Sequence, residues 1–223
     1  MIGQGLAGSA LAMALIERGA TVMVVDSEDE HSASRVAAGL VTTVAGKGMN
    51  LSWRQDEYLP EALAYYRKLE KASGTALFHA LDTLRLFESE KQRDKFNKKR
   101  DQLGGWVEDV DPADLLRWNA DHGGFIMKQG GWLDTKNYLQ VIRDILGDRY
   151  RSDIFREEDL LISKELVTWK DITAKSIVLC QGAVGLTEGG LFSYVPHRCA
   201  KGEILTISIP EVSQQKVINR NGW

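Results

Sequence analysis

Three glycines near the start of the chain have the G-x-G-x-x-G spacing that is typical of nucleotide-binding loops. They are Gly3, Gly5 and Gly8. In such a loop the first glycine permits a tight turn, the second lets the backbone approach a pyrophosphate, and the third lets a helix pack closely on a strand. The helix that follows directs free N–H groups and its positive dipole end at the phosphates. We therefore predict that the loop and the first helical residues, Leu6 and Ala7, bind a pyrophosphate.

An acidic residue follows at the distance that is typical of ribose binding. Asp26 ends the apolar run TVMVVD, and it follows the loop by the usual interval of about 20 residues. A carboxylate at this point accepts hydrogen bonds from ribose hydroxyls and repels a 2′-phosphate, which disfavours NADP. Together the loop, helix, strand and acid predict dinucleotide binding, with NAD and FAD as alternatives.

The elements that position these residues follow from the pattern of small and apolar side chains. Residues 6–18 fit a small-residue helix ending at Gly19, and residues 21–26 fit a buried parallel strand. Residues 83–89 alternate as a half-buried strand does. Further helices are predicted at 58–74, 90–105, 111–115 and 134–148, and further extended runs at 123–134, 160–163, 166–169, 175–185 and 201–210. This succession predicts an α/β or mixed α+β chain without a clean linker.

Composition and the other reactive residues exclude several classes of function. The net charge of -3 and the pI of about 5.9 give no reason to expect nucleic acid or an anionic membrane as partner. The apolar run 6–16 is too short to span a bilayer. Cys180 and Cys199 lack the C-x-x-C spacing, and the four histidines are scattered, so neither a disulfide framework nor a metal site is indicated. We expect a cytoplasmic protein, with Cys180 as an inert buried thiol.

The segment SASRVAAGLV, residues 32–41, favours FAD over NAD because it is similar to a known flavoprotein family. It resembles the stretch after the second strand in FAD-dependent oxidoreductases of the D-amino-acid-oxidase type, a family that includes glycine oxidase and sarcosine oxidase. In that family a Ser/Arg turn and an Ala-Gly pair wrap the pyrophosphate and approach the flavin ring. The resemblance implies that the FAD contacts here are Ser34, Arg35, Ala38, Gly39 and Leu40.

Later segments are similar to the same family. ELVTW (165–169) implies that Val167 meets the adenine, and SIVLCQGA (176–183) implies that Gly182 and Ala183 lie near the ADP portion. GWLDTKNYL (131–139) resembles the helix that returns to the FAD domain. PHRCAKGEILTI (196–207) resembles the crossing into the substrate domain, where Arg198 and Lys201 face either an anionic substrate or solvent.

The resemblance also implies the architecture and the reaction. The fold would be a Rossmann-like FAD/NAD(P)-binding domain, residues 1–48 and 131–185, interleaved with a mixed α+β substrate domain, residues 49–130 and 186–223. The reaction would be oxidation of a small amine or amino acid by hydride transfer to FAD, followed by hydrolysis of the imine. No pattern in the sequence identifies a catalytic residue or the electron acceptor.

The chain departs from the family pattern at both ends. Only Met1 and Ile2 precede the first glycine, where the family has a full central strand, and no long final portion follows residues 217–223. We therefore expect a chain truncated at both ends. Two alternatives stay open: a catalytically incomplete flavin-binding fragment or subunit, and an NAD-linked dehydrogenase.

Overall fold

The computed structural model describes residues 1–186, 190–196, 199–200, 202–205, 207 and 216–220, and these form a mixed α/β fold. The α-helices are α1 (Leu6–Glu17), α2 (Ala33–Val36), α3 (Gln55–Ser73), α4 (Glu90–Leu103), α5 (Pro112–Arg117) and α6 (Thr135–Leu146). The strands are β1 (Val24–Asp26), β2 (Leu40–Val41), β3 (Val44–Ala45), β4 (Asn50–Leu51), β5 (Phe78–Ala80), β6 (Thr83–Leu86), β7 (Val107–Asp109), β8 (Gly124–Met127), β9 (Gly131–Leu133), β10 (Tyr150–Ser152), β11 (Leu160–Ile162), β12 (Val167–Trp169), β13 (Ile172–Ala174) and β14 (Val217–Arg220). Within the described residues, no helix is long and apolar enough to cross a bilayer.

The chain forms two compact units, each built from two separate segments. The first comprises Met1–Ala37 and Thr135–Leu205, and the second comprises Ala38–Asp134 and Thr206–Trp223. The crossings therefore lie near residues 37, 134 and 205, whereas the predicted crossings lie near residues 48, 130 and 185. That one unit binds FAD and the other binds substrate stays a prediction.

The first three residues take a central place in the parallel sheet of the first unit. Ile2 forms parallel bridges with Val25 of β1 and with Leu179, and β1 pairs in parallel with β10. The Gly3 N–H donates to the Val25 carbonyl over 2.7 Å, and the Cys180 N–H donates to the Ile2 carbonyl over 2.6 Å. The short stretch before the glycine loop therefore pairs on both sides, as a central strand does.

The middle strand of the three-stranded sheet in the first unit carries a buried tryptophan. β11, β12 and β13 form an antiparallel meander. Trp169 of β12 is buried and packs with Ile2, Val25 and Phe155. This cluster ties the meander to the strands that carry the glycine loop.

The main sheet of the second unit has the order β14-β6-β8-β7. β14 is parallel to β6, and the remaining pairs are antiparallel. Phe125 of β8 packs with Phe96 and Leu103 of α4 on one face. On the other face, Leu115 and Trp118 pack against the side chains of β6. All four residues of β6 are buried, so the predicted half-buried alternation was wrong, because elements cover both faces of the strand.

The described residues of the predicted strand 201–210 do not form a strand. Residues 202–205 and 207 belong to no strand. Its other residues lie outside the described residues, as do Arg198 and Lys201. The sequence pattern did not predict β14, which pairs in parallel with residues 83–86 of β6.

Replacing Phe125 by alanine tests the core of the second unit. Phe125 is fully buried and stacks on Phe96 with ring centroids 4.2 Å apart. We expect Phe125→Ala to lower the free energy of unfolding by about 3–5 kcal/mol in urea denaturation, because it removes this contact and leaves a cavity. Leu116→Ala is the control, since Leu116 is 81% exposed, and it should change the free energy by no more than about 0.5 kcal/mol. Equal effects of the two substitutions would contradict this account of the core.

Candidate functional site

The glycine loop brings three backbone segments into close contact. Gly3 has a φ of +97°, in the region that favours glycine, and a Cβ there would overlap the carbonyl oxygen of Cys180. A Cβ on Gly8 would overlap the Gly3 carbonyl oxygen and would lie 3.3 Å from the Cys180 Cβ. The tight turn and the close helix packing that the spacing predicts are therefore both present.

The serine of the SASRVAAGLV segment lies at the start of helix α1. Gly5 is the N-cap of α1 and provides no side-chain cap. Instead, the Leu6 N–H donates to the Ser34 Oγ over 3.0 Å. A Cβ on Gly5 would lie 2.8 Å from the same Oγ. The hydroxyl therefore lies at a helix N-terminus, where free N–H groups favour an anion.

The carboxylate of Asp26 is fixed by two backbone amides at the end of β1. The Gln4 N–H donates to its Oδ2 over 2.7 Å, and the Glu28 N–H donates to its Oδ1 over 2.8 Å. Each carboxylate oxygen keeps a further lone pair for a ligand. The Asp26 carboxylate is thus held in a defined orientation beside Gln4 of the glycine loop.

One cleft of about 290 Å³ is lined by half of the predicted cofactor contacts. This volume lies near the lower end of the range for small-molecule sites, which is roughly 300–1,000 Å³. The predicted residues that line it are Gly3, Gly5, Asp26, Ser34, Arg35, Gly182 and Ala183. Leu6, Ala7 and Gly8 belong to α1, which begins directly after the lining residue Gly5.

Other residues of the cleft carry no signal in the sequence. Asp153, Ile154 and Phe155 line it directly after β10. The ends of parallel neighbours meet at one edge of a sheet, and β10 is the parallel neighbour of β1. The polar run DRYRSD gave no sign of a strand at this place. Only the pairing of β10 with β1 could have revealed these residues.

A charged neighbour shifts the pKa of one group in the cleft, and burial shifts the pKa of another. Lys170 Nζ donates to the Asp153 carboxylate over 2.8 Å, and this hydrogen bond is the main reason that the pKa of Asp153 lies below its usual value. Desolvation by burial raises the pKa of the Cys180 thiol. Cys180 is half-buried and not buried as the sequence predicted, and its raised pKa keeps the thiol protonated at neutral pH.

Four predicted contacts lie elsewhere. Val167 belongs to β12 and lines a second cavity of about 630 Å³, not the cleft with the glycine loop. Ala38, Gly39 and Leu40 belong to the second unit. There Gly39 has a φ of +67°, and its carbonyl accepts from the Leu133 N–H over 2.9 Å. The contacts of these four residues with a cofactor stay predictions.

Among the described residues, no group of three or more His, Cys, Asp or Glu side chains is arranged to hold a metal ion.

The comparisons with known proteins identify relatives of this fold. The family model described as DAO, FAD dependent oxidoreductase, matches residues 1–222. No curated protein matches the chain. The chain is similar to glycine oxidase from Geobacillus kaustophilus, with a TM-score of 0.61 and 16% identity over 78% of this chain and 52% of that chain. It is also similar to iminodiacetate oxidase from Chelativorans sp. BNC1, with a TM-score of 0.57 and 18% identity over 76% of this chain and 50% of that chain. The chain thus spans about half the length of the solved structures that it matches.

Alanine substitutions of two loop glycines test the close packing at Gly3. We expect Gly8→Ala to lower the free energy of unfolding by about 1–3 kcal/mol or more, because the added methyl overlaps backbone and forces α1 to move. Gly5→Ala should cost about 1 kcal/mol, less than Gly8→Ala, because the nearest atom is the Ser34 Oγ, the end of a side chain that can rotate away. The loss is then its hydrogen bond with the Leu6 N–H and the N-cap preference for glycine over alanine. Urea denaturation of both variants measures the difference. A Gly8→Ala protein as stable as the parent would contradict the packing described here.

Proposed function

The chain belongs to the DAO family of FAD-dependent oxidoreductases, and we propose that it serves in the oxidation of a small amine or amino acid. When bound, FAD would accept the hydride that leaves the carbon next to the substrate nitrogen, and water would hydrolyse the resulting imine. The family description names FAD, which favours FAD over the NAD alternative. The names glycine oxidase and iminodiacetate oxidase denote small amino-acid substrates of those two proteins, and we extend this substrate class to the present chain.

The observation that carries the proposal is the direct contact between the glycine loop and Asp26. The Gln4 N–H, inside the loop, donates to the Asp26 carboxylate over 2.7 Å. A dinucleotide needs a pyrophosphate site and a ribose acceptor next to each other, and this hydrogen bond joins the two. The residues of the cleft therefore fit the ADP half of FAD.

The phosphate end of the proposed site is formed by the loop and the SASR turn. Gly5 lacks a side chain that would fill the space beside Ser34, and the α1 N-terminus provides partial positive charge. Arg35 lines the same cleft and would neutralise phosphate charge with a charge-assisted hydrogen bond. We propose that these residues bind the pyrophosphate through backbone N–H groups and the guanidinium.

The adenosine end of the proposed site is formed by the ends of β1 and β10. Asp26 would accept hydrogen bonds from ribose hydroxyls. Ile154 and Phe155 provide apolar surface in the cleft, which suits a planar base. We propose that this segment, and not Val167, borders the adenine.

The remaining assignments follow from the proposed cofactor. We propose that the first unit is the FAD-binding part and that the second unit belongs to the substrate domain. A cytoplasmic location is proposed because both Cys180 and Cys199 are free thiols.

A visible absorption spectrum tests the proposed function. The purified chain, incubated with FAD and passed through a desalting column, should keep the yellow absorption of an oxidised flavin. Anaerobic addition of glycine, sarcosine or iminodiacetate in turn should bleach this absorption with at least one of them. Bound FAD that none of a wide panel of amines bleaches would instead support the flavin-binding fragment. A chain that takes up no FAD and binds NADH tightly would contradict the proposal.

Labelling of the two thiols gives an independent test of the cleft. Cys180 lines the cleft and has a raised pKa, whereas Cys199 is exposed. We expect iodoacetamide to label Cys180 slowly at pH 7 and faster as the pH rises, because only the thiolate reacts and a raised pKa keeps its fraction low. Saturating ADP should slow the labelling of Cys180 and leave that of Cys199 unchanged, as measured by mass spectrometry. Cys180→Ser identifies the peptide signal, and equal labelling of Cys180 with and without ADP would contradict its place in the ligand cleft.

A further inference from the structure

We propose that Arg143 is a positioning residue that orients Asp26 toward the ribose of the bound nucleotide. This inference rests on the proposed function and adds to it a residue outside the cleft lining. Arg143 lies on α6, and neither the glycine frame nor the SASR segment marks it. It acts through the two residues that hold the Asp26 carboxylate.

The orientation of Asp26 depends on Gln4 and Glu28. Their backbone N–H groups donate to Oδ2 and Oδ1 over 2.7 and 2.8 Å. A shift of either residue would remove one hydrogen bond and let the carboxylate rotate about its χ2, which has a broad energy minimum. The direction of the lone pairs that face a ligand is therefore set by where these two residues lie.

Arg143 contacts the side chains of the same two residues. Its Nη1 lies 2.9 Å from the Glu28 Oε1, in an ion pair whose side chains are 21% and 39% exposed. Its Nε and Nη2 each donate to the Gln4 Oε1 over 3.4 Å. One guanidinium thus bridges the side chains of both residues that hold the Asp26 carboxylate. The planar fork of a guanidinium holds its donors in fixed directions, which suits two acceptors at fixed positions.

The surrounding contacts keep this bridge in place. The Gln4 Nε2 donates to the Leu139 carbonyl of α6 over 2.7 Å, and Gln4 is only 3% exposed. The Tyr150 hydroxyl donates to the Glu28 Oε1 over 3.0 Å, and the Arg143 guanidinium lies 4.6 Å from the Tyr150 ring centroid. Burial, and then the hydrogen bond to Glu28, raise the pKa of Tyr150 well above its usual value, so it remains a neutral donor.

The backbone at Glu28 needs such support. Its φ of 60° lies in the left-handed region, which is unfavourable for a residue with a Cβ. The N–H of this same residue donates to the Asp26 Oδ1. The contacts of Arg143 and Tyr150 with the Glu28 carboxylate stabilise that unfavourable conformation. Their loss should therefore let the Glu28 backbone leave the left-handed region.

The test compares two nucleotides that differ only in the ribose. Isothermal titration calorimetry of the full chain measures the dissociation constants of ADP and of 2′,3′-dideoxy-ADP, which lacks both ribose hydroxyls. The parent should bind ADP about tenfold more tightly, as expected for a hydrogen bond to a charged group. Arg143→Met should reduce this preference to about twofold, because a rotating Asp26 no longer faces the ribose. Arg143→Lys should fall near the methionine variant, because an ammonium group lacks the fork that bridges Gln4 and Glu28.

Arg149→Met is the matched control. Arg149 is also half-buried and follows α6, but among the residues that the structure describes it donates only to the carbonyls of Ile145 and Leu146. Its variant should keep the parent's preference for ADP. Glu28→Gln is a second route to the same result if Arg143→Met does not fold, since it removes the ion pair and retains the shape of the side chain.

The outcomes separate this inference from the proposed function. A preference for ADP that Arg143→Met, or Glu28→Gln in its place, retains in full overturns the positioning role and leaves the nucleotide site standing. Loss of the preference in Arg149→Met as well overturns it too, because the effect would then be general. A parent chain that binds neither ADP nor FAD contradicts the proposed function, and the inference falls with it.

Discussion

The geometry of the first unit depends on backbone atoms that approach each other too closely to admit side chains at Gly3 and Gly8. The Gly3 carbonyl oxygen occupies the place of a Cβ on Gly8, and the Cys180 carbonyl oxygen occupies that of a Cβ on Gly3. Because protein interiors are close-packed, such contacts tolerate no added methyl without movement of an element. α1 therefore starts directly over the strand end, and the segment that carries Cys180 runs alongside. The cleft is the space that these three segments leave in front of them.

The electrostatic character of the cleft follows from the same arrangement. The N-terminus of α1 and Arg35 favour negative charge at one end of the cleft. The Asp26 carboxylate, which lines the same cleft, accepts hydrogen bonds. A ligand that suits both must be anionic at one end and rich in hydroxyl groups at the other. The ADP portion of a dinucleotide meets this description, and the family match gives FAD as that dinucleotide.

Local signals in the sequence predicted the parts of the site that are close together along the chain. The glycine frame and the apolar run before Asp26 predicted α1, β1 and the loop between them, because those patterns report backbone conformation within a few residues. The resemblance implied that Ser34 contacts FAD, but its hydrogen bond with the Leu6 N–H at the start of α1 was not predicted. The contacts of Asp153 and Arg143 could not be predicted, because each depends on pairing across more than 100 residues. β6 was predicted to be half-buried, since its own alternation carries no information on how many elements cover it.

The central claim is that the cleft at the glycine loop, and not the larger cavity beside β12, holds the nucleotide. Backbone amide chemical shifts of the labelled full chain, recorded with and without ADP, test this most directly. The account predicts shifts centred on Gly5, Glu28 and Ala183, with little change at Val167 and Trp169. Shifts confined to Val167 and Trp169, with the glycine loop unchanged, would contradict it.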